Sequence, residues 1–262
     1  MNFTLQDYIA AHEQLFAFYN DLTGRLTDDE MAVQSLCPDW NVRDVIAHAI
    51  GIEAVLTGWA PSAETGPPFE RMGELSAAAE SMSRSEFAIR VQEITSSRMA
   101  DLDRLAPSVV DTPSLTPVGV ATYGRFLQVR VFDLWIHARD IAIPLGESLD
   151  DGGVAAEMSL EEVDTAIGYI VGKNIGLPEG KSIVFDIVGP VDRTIAVAVD
   201  GRATRVDSVD DPDAVVTTDV GTFVMLAAGR IDPQTQIDTG KVTLSGDQEW
   251  ATRAAENLAY TR

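Results

Sequence analysis

The stretch that most constrains this chain is Gly124 to Ile143, GRFLQVRVFDLWIHARDIAI. At about 100° per residue a helix gathers Phe126, Arg130, Asp133, His137 and Asp140 into one narrow stripe. Val129, Phe132, Ile136 and Ile143 flank it on one side, and Leu127, Val131, Leu134, Ala138 and Ile141 on the other. Gln128 and Arg139 form a second polar arc on the opposite side of the cylinder. The arc richer in metal-ligand types is walled by apolar residues and is therefore expected to point inward. Buried ionisable groups are costly unless paired or bound to a metal. Asp133 and His137, four apart, can both reach one ion.

Other helices must surround such a stripe, and the sequence supplies them. Thr4 to Arg25 carries Leu5, Ile9, Leu15, Phe16, Phe18, Tyr19 and Leu22 at mostly helical spacing, with His12 beside Glu13 read as partly exposed. Thr27 and Glu30 offer a capping box for a short helix. A second long helix runs from Asn41 to Gly58, with His48 in the gap between Val45 and Ile52. Ala60 to Pro68 reads as a loop. Phe69 to Leu105 reads as helical again, with one long helix after the Ser83/Ser85 cap region and Arg98 interrupting its apolar stripe. Ala106 to Val120, with three prolines, is a connector into the Gly124 helix. Four long helices with an irregular crossover predict an all-α four-helix bundle, whose ligand sites are built from facing helices.

After Pro144-Leu145-Gly146 the periodicity changes. Ser148 to Gly153 is suited to a linker, which sets the expected domains at 1–147 and 154–262. A helix over Val154 to Val171 precedes four strands, at Ser182 to Gly189, Arg193 to Asp200, Ala214 to Thr218 and Lys241 to Ser245. Asp219 to Gly229 and Asp247 to Ala259 are capped amphipathic helices, so the second domain is α+β.

Composition excludes several roles. With 41 acidic and 19 basic residues the net charge is −22, and no Lys/Arg patch exists to hold nucleic acid or an anionic membrane. No apolar run approaches the ~20 residues of a membrane span. The first residues read as a helix and not as a signal peptide, which places the protein in the cytoplasm. Cys37 is the only cysteine, so an intramolecular disulfide and a thiolate cluster are both impossible. It precedes a helix start, where a thiol can be activated, but no histidine adjoins it in sequence, and it reads as a structural loop residue.

His48, Asp133 and His137 form a two-histidine, one-carboxylate set on two helices. Such a set suits Zn²⁺, with Fe²⁺, Mn²⁺ or Ni²⁺ as alternatives, and leaves a coordination position open. Asp140 is placed as a partner of His137 or a proton acceptor, and Arg130 as a counter-ion or a clamp for a substrate carboxylate. From spacing alone a buried His/Asp/Arg network without metal fits equally well.

The segments CPDWNVRDVIAHAIGIE (Cys37 to Glu53) and VRVFDLWIHARDI (Val129 to Ile141) resemble the two metal-bearing motifs of the DinB-like, mycothiol-dependent maleylpyruvate isomerase family. VTTDVGTFVMLAAGRIDPQ and VTLSGDQEWATR resemble the small sterol-carrier-like domain that follows the bundle in that family, so the likeness spans nearly the whole chain. It implies a divalent ion, usually zinc, on His48, Asp133 and His137, and mycothiol as thiol cosubstrate. The family pattern has Glu where this chain has Asp133, one methylene shorter. The implied chemistry is thiolate attack on a small electrophile. In an isomerase the thiolate adds to a double bond, the resulting single bond rotates, and elimination gives the trans isomer; in a transferase it stays attached. Arg230, in the AAGR string, is a candidate cofactor or substrate contact or simply a cation at a helix C-terminus. The competing expectation is a non-catalytic protein that holds an apolar or other small ligand on the same two domains. Either way the expected state is a monomer or weak homodimer.

Overall fold

The computed structural model describes residues 3–116 and 119–261. The chain divides into two compact units, Met1–Asp150 and Asp151–Arg262. The first is helical, with α1 (Leu5–Arg25), α2 (Asp28–Met31), α3 (Val42–Leu56), α4 (Glu74–Ala79), α5 (Arg84–Asp103) and α6 (Tyr123–Ala142). Helix starts are chemically marked. Thr4, Thr27, Asn41 and Ser83 each accept from the backbone three residues on, while Asp7, Glu30, Asp44 and Glu86 reach back, making four capping boxes. Helices α1 and α3 each pack against both α5 and α6. Tyr19 ties α1 to α6 by donating its hydroxyl to the Leu134 carbonyl at 2.8 Å.

The unit is not purely helical. Pro113–Thr116 (β1) and Gly119–Thr122 (β2) pair antiparallel in and just beyond the expected connector and lead directly into α6. The two positions between them, 117 and 118, lie outside the described residues.

Both polar arcs of α6 face inward, and within them only Asp133 stays half-buried. Gln128 and Arg139 are 7% and 5% exposed. The Arg139 guanidinium lies 3.0 Å above the Trp135 ring and donates to the carbonyls of Trp135 and Asp150, which supplies the partners a buried cation requires. His12, expected to be partly exposed, is fully buried on the face of α1 that carries Tyr8, Ala11 and Leu15.

The second unit opens with α7 (Gly153–Tyr169), which passes into a wider helical turn over Ile170–Ile175. Five strands follow, β3 (Ser182–Ile187), β4 (Arg193–Asp200), β5 (Arg202–Val206), β6 (Ala214–Thr218) and β7 (Val242–Gly246), in the order β5-β4-β3-β6-β7. Only the β3–β6 pair is parallel. Strand β5, RATRV, escapes the sequence reading because it is an edge strand with little buried apolar alternation. Helices α8 (Val220–Ala227), α9 (Pro233–Asp238) and α10 (Gln248–Glu256) complete the unit, with Phe223 of α8 set against Phe185 of β3 at 5.5 Å between ring centroids. Among the described residues no helix is long and apolar enough to cross a membrane.

Candidate metal centre

His48 comes from α3, whose start is fixed by the reciprocal Asn41/Asp44 cap, and Asp133 and His137 come from successive turns of α6. Because α3 and α6 pack together, ligating atoms of the three residues lie within 4.8 Å of one another. His137 Nε2 is 3.7 Å from Asp133 Oδ1, and the two imidazoles meet edge to face with centroids 5.2 Å apart. Donors held ~2.1 Å from a tetrahedral ion sit roughly 3.4 Å apart, so small side-chain shifts close this set on a divalent cation. His137 is buried, whereas His48 and Asp133 are half-buried. The cluster is therefore enclosed at one ligand and accessible at two, as an open coordination site requires.

The groups behind the ligands orient them. His137 Nδ1 lies 2.9 Å from Asp140 Oδ2, which leaves Nε2 for the cluster, and Asp140 is fully buried. Asp140 is thus the hydrogen-bond partner of His137. Arg130 donates Nη1–H to Asp133 at 2.9 Å, Nε–H to Glu53 at 2.9 Å and Nη2–H to the Ala49 carbonyl at 3.4 Å. With 4% exposure it is the counter-ion of two carboxylates.

Sequence reasoning missed three participants. Glu53, fully buried, accepts from both Arg130 and Arg98, and Arg98 also donates to the Tyr123 hydroxyl at 3.3 Å. Two guanidinium groups and two carboxylates (Glu53 and Asp133) thereby balance one another inside the bundle. The signal was a glutamate inside the apolar run IGIEAVL, together with the arginine that interrupts the α5 stripe. Trp40 sets its ring 4.6 Å from that of His48. Cys37 is neither isolated nor far from histidine: its thiol donates to Asp140 Oδ2 at 3.2 Å and lies 4.0 Å from His137 Nδ1.

The two histidines are electrostatically unlike. Burial, and then the neighbouring His137, push His48 down to about 4, so it is neutral. For His137 burial works against the charge, but Asp133 and the hydrogen bonds with Asp140 and Cys37 outweigh it and push the ring up to about 10. Asp133 is held below its ordinary range despite burial, by Arg130 first and then the two histidines. The site is an anionic ligand, a neutral one, and one that must release a proton to an incoming ion.

Arg230 lies in the other unit, two residues beyond the Ala228 cap of α8, and donates to the Ala228 carbonyl at 3.4 Å.

An uncharacterized protein of Mycobacterium tuberculosis strain H37Rv is 24% identical over 162 residues, covering 61% of this chain and 78% of that protein. A counterpart in strain CDC 1551 matches with the same values. The crystal structure of the mycothiol-dependent maleylpyruvate isomerase superposes with a TM-score of 0.59 at 19% identity, covering 94% of this chain and 96% of that one, as does a mutant of that enzyme. At this identity the likeness is one of fold. The family models are more specific: the mycothiol maleylpyruvate isomerase N-terminal domain matches residues 12–142, which hold all three candidate ligands, and the corresponding C-terminal domain matches 157–253. The chain belongs to the mycothiol maleylpyruvate isomerase family.

Proposed function

We propose that this chain is a metal-dependent enzyme that uses mycothiol on a small electrophilic substrate, for cis-trans isomerisation or for thiol transfer. The observation that carries this reading is the convergence of His48, Asp133 and His137 within 4.8 Å at a centre closed on one side and accessible on the other. Family membership supplies the reaction class, and the four long helices α1, α3, α5 and α6 supply the bundle. Residues 1–147 form its metal-bearing domain and 154–262 the sterol-carrier-like domain.

Held by these three residues, a divalent ion, zinc by its donor set, would favour the thiolate form of a bound thiol near neutral pH. The remaining roles belong to the chain. Asp140 fixes the His137 ring through Nδ1. Arg130 orients Asp133 and neutralises part of its charge. Trp40 walls the centre beside His48. Arg230, within the second domain, is proposed as a cofactor or substrate contact of that domain, and the protein is proposed to be cytoplasmic and to act without nucleic acid or membrane.

The test replaces the native ion with Co²⁺ and titrates the protein with mycothiol, using cysteine and a thioether analogue of mycothiol as controls. A sulfur-to-cobalt charge-transfer band with mycothiol and none with the thioether is the expected result, followed by turnover with maleylpyruvate or another electrophile. A protein that binds Co²⁺ yet shows no spectral change at saturating thiol would overturn the enzyme reading in favour of a binding module.

A further inference from the structure

The loop between α2 and α3 reaches the metal centre without contributing a proposed ligand. Its backbone is tightly held: Gln34 Nε2 donates to the carbonyls of Cys37 and Trp40 at 2.8 Å each, Ser35 Oγ donates to the Trp40 carbonyl at 2.7 Å, and Cys37 N–H donates to Ser35 Oγ at 3.0 Å. The loop is also anchored to α6, because Leu36 N–H donates to the Asp140 carbonyl at 3.0 Å. So fixed, it delivers the Cys37 thiol to Asp140 Oδ2 at 3.2 Å, the same oxygen that faces His137 Nδ1 at 2.9 Å. Cys37, His137 and Asp140 are all buried.

We propose that Cys37 is a positioning residue of the metal centre, whose S–H holds the Asp140 carboxylate in the orientation that turns His137 Nε2 toward His48 and Asp133. The inference rests on the metal reading of those three residues. A carboxylate oxygen has room for two donors, and with both in place the Asp140 side chain cannot rotate without breaking one of them. Cys37 is 7% exposed and its proton is committed to Asp140, which suits a donor and not a nucleophile. Groups that orient a metal-bound histidine typically matter by 10–100-fold in metal affinity.

The experiment measures the Zn²⁺ dissociation constant by competition with a chromophoric chelator, and the Co²⁺ ligand-field spectrum, in the full chain. Cys37→Ala is expected to weaken Zn²⁺ binding about 10-fold or more and to alter the Co²⁺ spectrum. Cys37→Ser, which keeps a donor, should restore affinity to within about 3-fold of wild type, an outcome that general damage to the loop would not give. In an Asp140→Ala background, removal of the thiol should cost nothing further, because its route is through Asp140. Equal affinity in wild type and Cys37→Ala overturns the proposal, as does an unchanged Cys37→Ala penalty in the Asp140→Ala background. A sulfur-to-cobalt band before any thiol is added would make Cys37 a ligand and overturn it too. Failure of the wild type to bind metal would instead be failure of the underlying metal reading.

Discussion

Replacing Glu53 with Gln tests the charge balance on which the centre depends. Glu53 has no exposed surface and receives Arg98 Nε–H at 3.1 Å and Arg130 Nε–H at 2.9 Å. With Asp133 it balances the two guanidinium groups; Gln leaves one net buried positive charge. It also turns an amide N–H₂ toward one of the two arginines, donor against donor. Removing one partner of a buried ion pair costs about 3–5 kcal/mol, a large part of the ~5–15 kcal/mol that holds a domain folded. Burial pushes the Glu53 carboxyl up, but Arg130 and Arg98 pull it below its ordinary value. The folded-state value is thus depressed, and the stabilisation is present above the unfolded value of ~4.3 and lost as pH falls below it. The assay is urea unfolding near pH 7 followed by tryptophan fluorescence, since Trp40, Trp59 and Trp135 all report on the first unit. The transition of that unit should move to markedly lower urea with unchanged slope. A loss under about 1 kcal/mol would refute the reasoning, and a double-mutant cycle with Arg98→Gln should recover strong coupling.

Three further outcomes follow from the same structure. Burial pushes His12 down to about 4, and among the described residues its Nε2 has no hydrogen-bond partner. The unfolded state therefore binds the extra proton first, and His12 alone should withdraw roughly 3 kcal/mol of stability as pH drops from about 6.5 to 4; His12→Leu should make the slope in that window shallower, leaving the part due to His48, which is pushed down likewise, and an unchanged slope would contradict it. Because His137 is charged in the metal-free protein and His48 is not, Zn²⁺ binding at pH 7.5 should release about one proton per ion, measurable with an indicator dye in weak buffer; no release would show that His137 is already neutral. Gly246 has φ +76° and an added Cβ would collide with the Asp213 carbonyl, so Gly246→Ala should destabilise the second unit by about 2 kcal/mol or more, read from far-UV circular dichroism and Trp250 fluorescence.

How much of this was legible in the sequence depended on range. The inward stripe of α6 follows from spacing along one helix, and the caps at Thr27, Ser83, Asp219 and Asp247 follow from contacts within a turn or less. What failed concerned the surroundings of each helix. Periodicity located a second polar arc at Gln128 and Arg139 but could not show that a tryptophan ring and two carbonyls would satisfy the Arg139 guanidinium in a buried position. His12 belongs to an apolar face that Tyr8 and Ala11 complete, and neither residue type marks a buried face strongly enough for its burial to be read from spacing. The contact of Cys37 with Asp140 joins residues 103 apart, and that of Glu53 with Arg130 residues 77 apart. Local pattern carries no information on such pairs, although a charge stranded in an apolar run does show that a partner must exist.

The most direct test of the central claim is metal content. The protein is purified without added metal or chelator and analysed by elemental mass spectrometry, beside His48→Ala and His137→Ala variants whose folding is checked by circular dichroism. The account predicts about one divalent ion per wild-type chain and little in either folded variant, since each loses one of only three proposed protein ligands. Equal metal content in all three proteins would contradict the assignment of the centre to His48, Asp133 and His137.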